Sequence, residues 1–139
     1  MAANLIKTKK YDVTVWNRTT SKAEELAKSV GGVAAKTPEE ALKSCDTVIS
    51  MLWNAESIEQ TLFSHIEMLK GKTVINMSTV APNENKNFKD RLEKLGEGSA
   101  FIECPVLGTA TAAKSGSLQV IFDGNDEQFN QHFLPVLLL

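Results

Sequence analysis

Cysteine is nearly missing from this chain of 139 residues, and the little there is excludes two architectures. Only Cys45 and Cys104 occur, far apart and outside any Cys-x-x-Cys pair, so neither a disulfide framework nor a zinc site is indicated. Two reduced thiols in a cytoplasmic protein fit that usage. No apolar run approaches the roughly 18 residues of a membrane-spanning helix. The first residues also lack the charged-then-apolar layout of a secretory signal. An excess of positive charge is also lacking. The formal net charge is −2, and the longest basic stretch, Lys7-Thr8-Lys9-Lys10, decorates a helix end and offers no nucleic-acid surface. Glycine is the last shortage. None of the eight glycines builds a Gly-x-Gly-x-x-Gly turn, and Gly96-Glu97-Gly98 lacks the third member and follows a helix.

What is present suffices for a core. Hydrophobic residues make up 42% of the chain, and the length suits one domain over residues 1–139. Strand and helix signals alternate with short connections, which predicts an α/β domain with a mostly parallel sheet and helices on both faces. Ala2, Leu5 and Ile6 form a helical stripe, and residues 11–16 read as a strand. Ser21-Lys22-Ala23-Glu24 predicts a capping box, followed by an apolar face of Ala23, Leu26, Ala27 and Val30 and a stop at Gly31-Gly32. Thr37-Pro38-Glu39-Glu40 starts another helix, with proline where its missing amide costs nothing. Residues 47–52 predict a strand buried on both faces. Ile58, Leu62, Ile66 and Leu69 predict one helix, Thr73–Asn76 a strand, and Pro82 a helix carrying Phe88, Leu92 and Leu95. A strand near Ala100–Glu103, a short helical stretch, a strand at Leu118–Phe122 and a helix from Asn125 complete the series.

The chemistry concentrates after the strands. Val13-Thr14-Val15-Trp16 runs straight into Asn17-Arg18-Thr19 and then into a helix. Dinucleotide-binding folds present the groups that meet the adenosine ribose in this way. A cofactor lacking the 2′-phosphate calls for Asp or Glu at that strand end, whereas Asn17 repels no phosphate. Arg18 supplies a planar fork for phosphate, and Thr19 and Lys22 add a hydroxyl and a second cation. Alone, the triplet reads equally well as a solvated loop. Three further loops change the balance: Leu52-Trp53-Asn54-Ala55-Glu56-Ser57, Asn76-Met77-Ser78-Thr79 and Cys104-Pro105-Val106-Leu107-Gly108-Thr109. Each is a credible helix cap by itself. All follow successive strands, so they are expected to converge on one sheet edge.

With these stretches in place the chain resembles the β-hydroxyacid dehydrogenases, whose cofactor domain is shared with 6-phosphogluconate dehydrogenase and imine reductases. The resemblance rests on Val15–Thr19, Val48–Leu52, Ser78-Thr79-Val80, Pro105–Gly108, Gly116-Ser117-Leu118 and Phe129…Pro135, and it spans the chain. It implies that Asn17, Arg18 and Thr19 meet the 2′-phosphate of NADP, beside the second cation that Lys22 offers. It further implies that Leu52, Trp53, Ser57 and Thr79 line the pyrophosphate and nicotinamide side, and that Ser78, Leu107, Gly108 and Thr109 face a small-molecule substrate. The expected reaction is hydride transfer between the nicotinamide and a small hydroxyacid, aldehyde or imine. Two departures bear on the substrate. Leu107-Gly108-Thr109 replaces the family's Ser-Gly-Gly, which removes a carboxylate donor unless Thr109 stands in, and Trp53 replaces a common proline.

The same resemblance marks what is expected to be missing. Met1–Leu5 is similar to the second half of the helix that follows the family's first strand and glycine-rich loop, so both should lie outside this chain. That strand is central in the sheet order 3-2-1-4-5-6. Its neighbours here must pair with one another, receive a strand from elsewhere, or leave the chain marginal and prone to aggregate. The family's catalytic lysine lies on an all-helical carboxy-terminal domain that also makes the dimer, and that domain too is expected to be absent. Neither Lys114, His65 nor His132 is assigned its role, and no metal ligand set is present. The chain alone is then expected to be inactive. A rival reading is a non-catalytic scaffold that reuses a dehydrogenase fold. It has no need of Asn17-Arg18-Thr19 or Ser78-Thr79.

Overall fold

A computed structural model describes residues 1–130. The elements run α1 (Ala2–Thr8), β1 (Thr14–Val15), α2 (Thr20–Val30), β2 (Val33–Ala34), α3 (Pro38–Lys43), β3 (Thr47–Ser50) and α4 (Ala55–Thr61). After a 3-10 stretch (Phe63–Leu69) come β4 (Thr73–Asn76), α5 (Pro82–Glu93), β5 (Ala100–Glu103), β6 (Val106–Leu107), α6 (Ala110–Ser115), β7 (Gln119–Val120) and α7 (Asp126–Gln128). Pro135 and His132 lie outside the described residues. The architecture is the expected Rossmann-like alternation. No described helix is long and apolar enough to cross a membrane.

The parallel strands fall into two groups. β3, β4 and β5 form one parallel sheet in that order, with Ile49 opposite Ile75 and Ile75 opposite Ile102. β4 is buried along its whole length, as a central parallel strand should be. Successive side chains point to opposite faces, so Val74 and Phe101 meet Leu42, Ile58, Phe63, Leu69, Phe88 and Leu92 from α3 to α5. Ile75 and Ile102 face the other way, toward Met1, Met77, Cys104, Val106 and Val120. β1 and β2 form a separate parallel pair covered by Ile6, Ala23 and Ala27 of α1 and α2.

Between these groups no described strand intervenes. β1 and β3 do not pair with each other, and both line one cleft of about 1040 Å³. The ladder bonds show which backbone groups face it. The Val13 and Val15 carbonyls accept from Val33 of β2 and from Ala35 just after it, and the Asp46 and Ser50 carbonyls accept from Thr73 and Met77 on the β4 side. Alternate residues of a parallel ladder point to opposite neighbours, so Thr14 and Trp16 on one wall, and Thr47, Ile49 and Met51 on the other, turn their backbone groups into the cleft. The Ser44 hydroxyl donates to the Thr14 hydroxyl at 3.1 Å, a side-chain bridge from the end of α3 to β1.

Five expectations need correction. Residues 11–16 shrink to a two-residue strand, and the strand within 47–52 is not buried on both faces, because its outer edge borders the cleft: Thr47 and Met51 are exposed. Ser21 is not a cap. The Asn17 side chain accepts from the Thr19 amide at 2.9 Å, which bends the chain early and starts α2 at Thr20. The helix predicted through Ile58 and Leu69 is broken into α4 and the 3-10 stretch by non-helical backbone at His65. Finally, β6 and β7 pair antiparallel, a departure from the parallel series that period alone did not show.

Candidate functional site

The carboxyl ends of β1 and β3 deliver the candidate residues to the same place. Asn17, Arg18, Thr19 and Lys22 on one side, and Leu52, Trp53 and Ser57 on the other, all line the cleft. Its charge is polarised along the strands. Arg18 and Lys22 stand at the carboxyl end, while Asp12 and Asp46 line the amino end. Among the described residues no carboxylate forms an ion pair with Arg18. Helix α2 opens beside it with no side-chain cap and no acidic residue in its first turn, which leaves amide donors and the positive end of the helix dipole available to an anion. This donor set suits a phosphate group.

The opposite lip is built from polar backbone anchors. Asn54 caps α4 by accepting from the Ser57 amide at 2.9 Å and from the Ser57 hydroxyl at 2.7 Å. Trp53, just before that cap, is 91% exposed and presents a bare indole face.

The remaining candidates sit elsewhere. Thr79 is exposed and does not line the cleft. Ser78 is enclosed at 1% exposure, and its hydroxyl accepts from the Leu52 amide at 2.8 Å. Leu107 is exposed on β6, and Thr109 caps α6 by accepting from the Ala112 amide. Gly108 has φ +145°, and a Cβ there would lie 2.8 Å from Leu118 Cδ2 and 3.3 Å from Ala112 Cβ. That backbone conformation and that crowding require glycine. Gly108→Ala is expected to lower stability by about 1–3 kcal/mol, read from a denaturation midpoint. Lys114 is exposed on α6 and does not line the cleft. His65 Nε2 lies 3.4 Å from Glu39 Oε1, also away from it. No group of three or more potential metal-ligating side chains occurs among the described residues.

A family model for the NAD binding domain of 6-phosphogluconate dehydrogenase matches residues 1–138. The chain belongs to that family. A glyoxylate/succinic semialdehyde reductase of Arabidopsis thaliana is 33% identical over 135 residues, covering 94% of this chain and 45% of the relative. An NADPH-dependent reductive aminase of Aspergillus oryzae is 27% identical over 121 residues, covering 87% of this chain and 40% of the relative. An imine reductase of Bacillus cereus superposes with a TM-score of 0.84 at 28% identity, over 99% of this chain and 47% of that one. The chain spans less than half the length of each of these relatives.

For this NAD(P)-binding domain, the sequence did not reveal the polar layer beneath the site. Asn76 at the end of β4 is buried and accepts from the Ser50 hydroxyl at 2.9 Å and the Ser78 amide at 3.2 Å. Its amide nitrogen donates to Asn85 at 3.0 Å, and Asn85 donates to Glu103 at 2.6 Å. Every described buried side-chain nitrogen and oxygen has a partner. Burial pushes the Glu103 carboxyl above its ordinary value and Asp123 adds to that, while the Asn85 hydrogen bond and Lys89 oppose it. Burial, with Asp123 and Glu103 nearby, pushes the adjacent Cys104 thiol up to about 12. Cys104 is thereby an inert core thiol. The signal available in the sequence was only two asparagines and a glutamate at strand ends and on a helix, which carry no period.

Proposed function

We propose that this chain is the NADP(H)-binding domain of an oxidoreductase that passes a hydride between the nicotinamide and a small hydroxyacid, aldehyde or imine carbon. The observation that carries the reading is Arg18: an arginine without a carboxylate partner, next to Asn17 where a 2′-hydroxyl-binding acid would stand, at the cationic end of the cleft. Bound cofactor supplies the hydride chemistry; the chain supplies position and charge.

In this reading Arg18 pairs with the 2′-phosphate and Lys22 adds a second cation. Asn17 is spent on its own turn and sets the Arg18 backbone. Ser57 gives its proton to Asn54, so its oxygen accepts and suits a ribose hydroxyl or amide N–H better than an anionic pyrophosphate. Leu52 and Trp53 supply apolar surface at the nicotinamide side, and Thr79, outside the cleft lining, meets the nicotinamide end. Ser78 acts through Leu52. Leu107, Gly108 and Thr109 shape the substrate side, and no catalytic acid or base is assigned within the chain. Residues 1–139 act as one cytoplasmic cofactor domain that works with a helical substrate domain in a homo-oligomer and contacts neither nucleic acid nor membrane.

Fragment ligands test this without demanding a complete cofactor cradle. In calorimetric or NMR titrations of the chain, 2′,5′-ADP is expected to bind at least about tenfold more tightly than 5′-ADP, the range of one charge-assisted contact. Equal affinities overturn the assignment.

A further inference from the structure

The hydrogen bonds beneath the cleft run in one direction. Leu52 N–H donates to Ser78 Oγ, Ser78 N–H to Asn76 Oδ1, Asn76 Nδ2 to Asn85 Oδ1, and Asn85 Nδ2 to Glu103 Oε2. A side-chain amide can be turned over, but here both ends forbid it. At one end the Ser78 backbone N–H can only donate, so Asn76 must offer its oxygen. At the other an ionised carboxylate can only accept, so Asn85 must offer its nitrogen. Reversing either asparagine sets donor against donor or acceptor against acceptor in a buried site, where an unmatched polar group is costly.

We infer that Glu103 is a positioning residue for the cofactor cleft, orienting the Asn85–Asn76 relay that holds Ser78 under the Leu52 lip. The inference rests on the reading of the cleft as the cofactor site. Three strand ends are locked together by it: Ser50 of β3, Asn76 of β4 and Glu103 of β5. The segment carrying the Leu52 lip is thereby tied to the segment that leads through Cys104 into β6. Glu103 is also fixed from the far side, since its carbonyl accepts from the Asp123 amide at 2.9 Å.

The direction of the relay makes a compensated reversal possible, and that is the test. Asn76→Asp places an acceptor where a donor stood. Asn85 must then turn to donate to Asp, which aims its oxygen at the Glu103 carboxylate. Glu103→Gln alone keeps an acceptor for Asn85 and is expected to be nearly neutral. Combined, Asn76→Asp and Glu103→Gln let the glutamine nitrogen donate to the reversed Asn85. The double variant is therefore expected to fold with an equilibrium constant about tenfold more favourable than Asn76→Asp alone. Hydrogen exchange at the Leu52 amide reports on the lip itself. Glu103→Leu is expected to speed it about tenfold or more, with Glu103→Gln restoring the slow rate.

Additive effects of Asn76→Asp and Glu103→Gln, or Leu52 exchange indifferent to Glu103→Leu, overturn the inference and leave Glu103 a packing residue. Should Glu103→Leu not fold, the Asn76→Asp/Glu103→Gln cycle decides alone. The preference of the unaltered chain for 2′,5′-ADP is measured separately. Its loss refutes the cofactor reading and leaves the relay intact as a device of the fold; failure of the cycle leaves that preference untouched.

Discussion

Joining an apolar strand of about five residues and a short turn ahead of Met1 should raise the thermal midpoint of this chain by roughly 10–20 °C, the equivalent of several kcal/mol at this size. The argument comes from the facing edges of β1 and β3. Thr14, Trp16, Thr47, Ile49 and Met51 direct ladder groups into a cleft between two parallel sheets, with no described strand between them. Each ladder bond made with a new strand contributes about 0.5–1.5 kcal/mol net. Apolar walls add to this: Val15, Val48, Ile49, Leu42 and Leu62 all line the cleft, so the inserted residues would be covered on both faces. The geometry of entry is favourable too. Met1 lines the same cleft, and α1 leads from it toward β1, so a strand ending at Met1 would join β1 by a crossover of the strand–helix–strand kind. Differential scanning calorimetry checks the shift. A matched insert carrying proline at its centre cannot complete the ladder and should give little of the gain. Equal gain from both inserts would mean that the cleft is simply absorbing apolar mass.

How much of this was legible in the sequence depends on the range of the interaction. Elements fixed by local signals came through: Thr37 caps α3 by accepting from the Glu40 amide, Gly31 ends α2 in the left-handed conformation, and Phe88 and Leu92 lie buried one turn apart on α5. The convergence of Arg18, Lys22, Leu52, Trp53 and Ser57 was also legible, because strand ends in a parallel sheet share one edge. Two local motifs misled. The Ser21–Glu24 box lost to the Asn17 turn, which acts before the helix begins. The apolar spacing of Ile58, Leu62 and Leu69 survived a broken helix, since all three still reach the same core cluster despite the backbone change at His65. What stayed hidden was long-range and polar. Asn76 meets Ser50 across 26 positions, and Asn85 meets Glu103 across 18, so no window of sequence contains the relay. The surroundings of Ser78 and Gly108 stayed hidden for the same reason: the Ser78 hydroxyl accepts from the Leu52 amide, and Leu118 lies against the open side of Gly108, both distant in the chain.

Charge reversal at the cleft rim should have the largest effect on ligand choice. With Arg18→Glu the advantage of 2′,5′-ADP over 5′-ADP is expected to fall about a hundredfold at low salt, whereas Arg18→Ala costs about tenfold. Three features set these magnitudes. Arg18 is exposed, so water and ions screen its pairing and the effect should shrink as salt rises toward 1 M. Lys22 lies on the same rim and keeps part of the attraction in Arg18→Ala. A glutamate adds repulsion to a lost contact and restores the kind of group that favours a free 2′-hydroxyl. Affinity for 5′-ADP should change by no more than about twofold if the guanidinium addresses only the 2′-phosphate. A parallel loss for both ligands would move Arg18 from the phosphate to the adenine face, where guanidinium stacking ignores the 2′ position. Lys22→Ala gives the complementary measure: a smaller loss, additive with Arg18→Ala only if the two cations act on the phosphate independently.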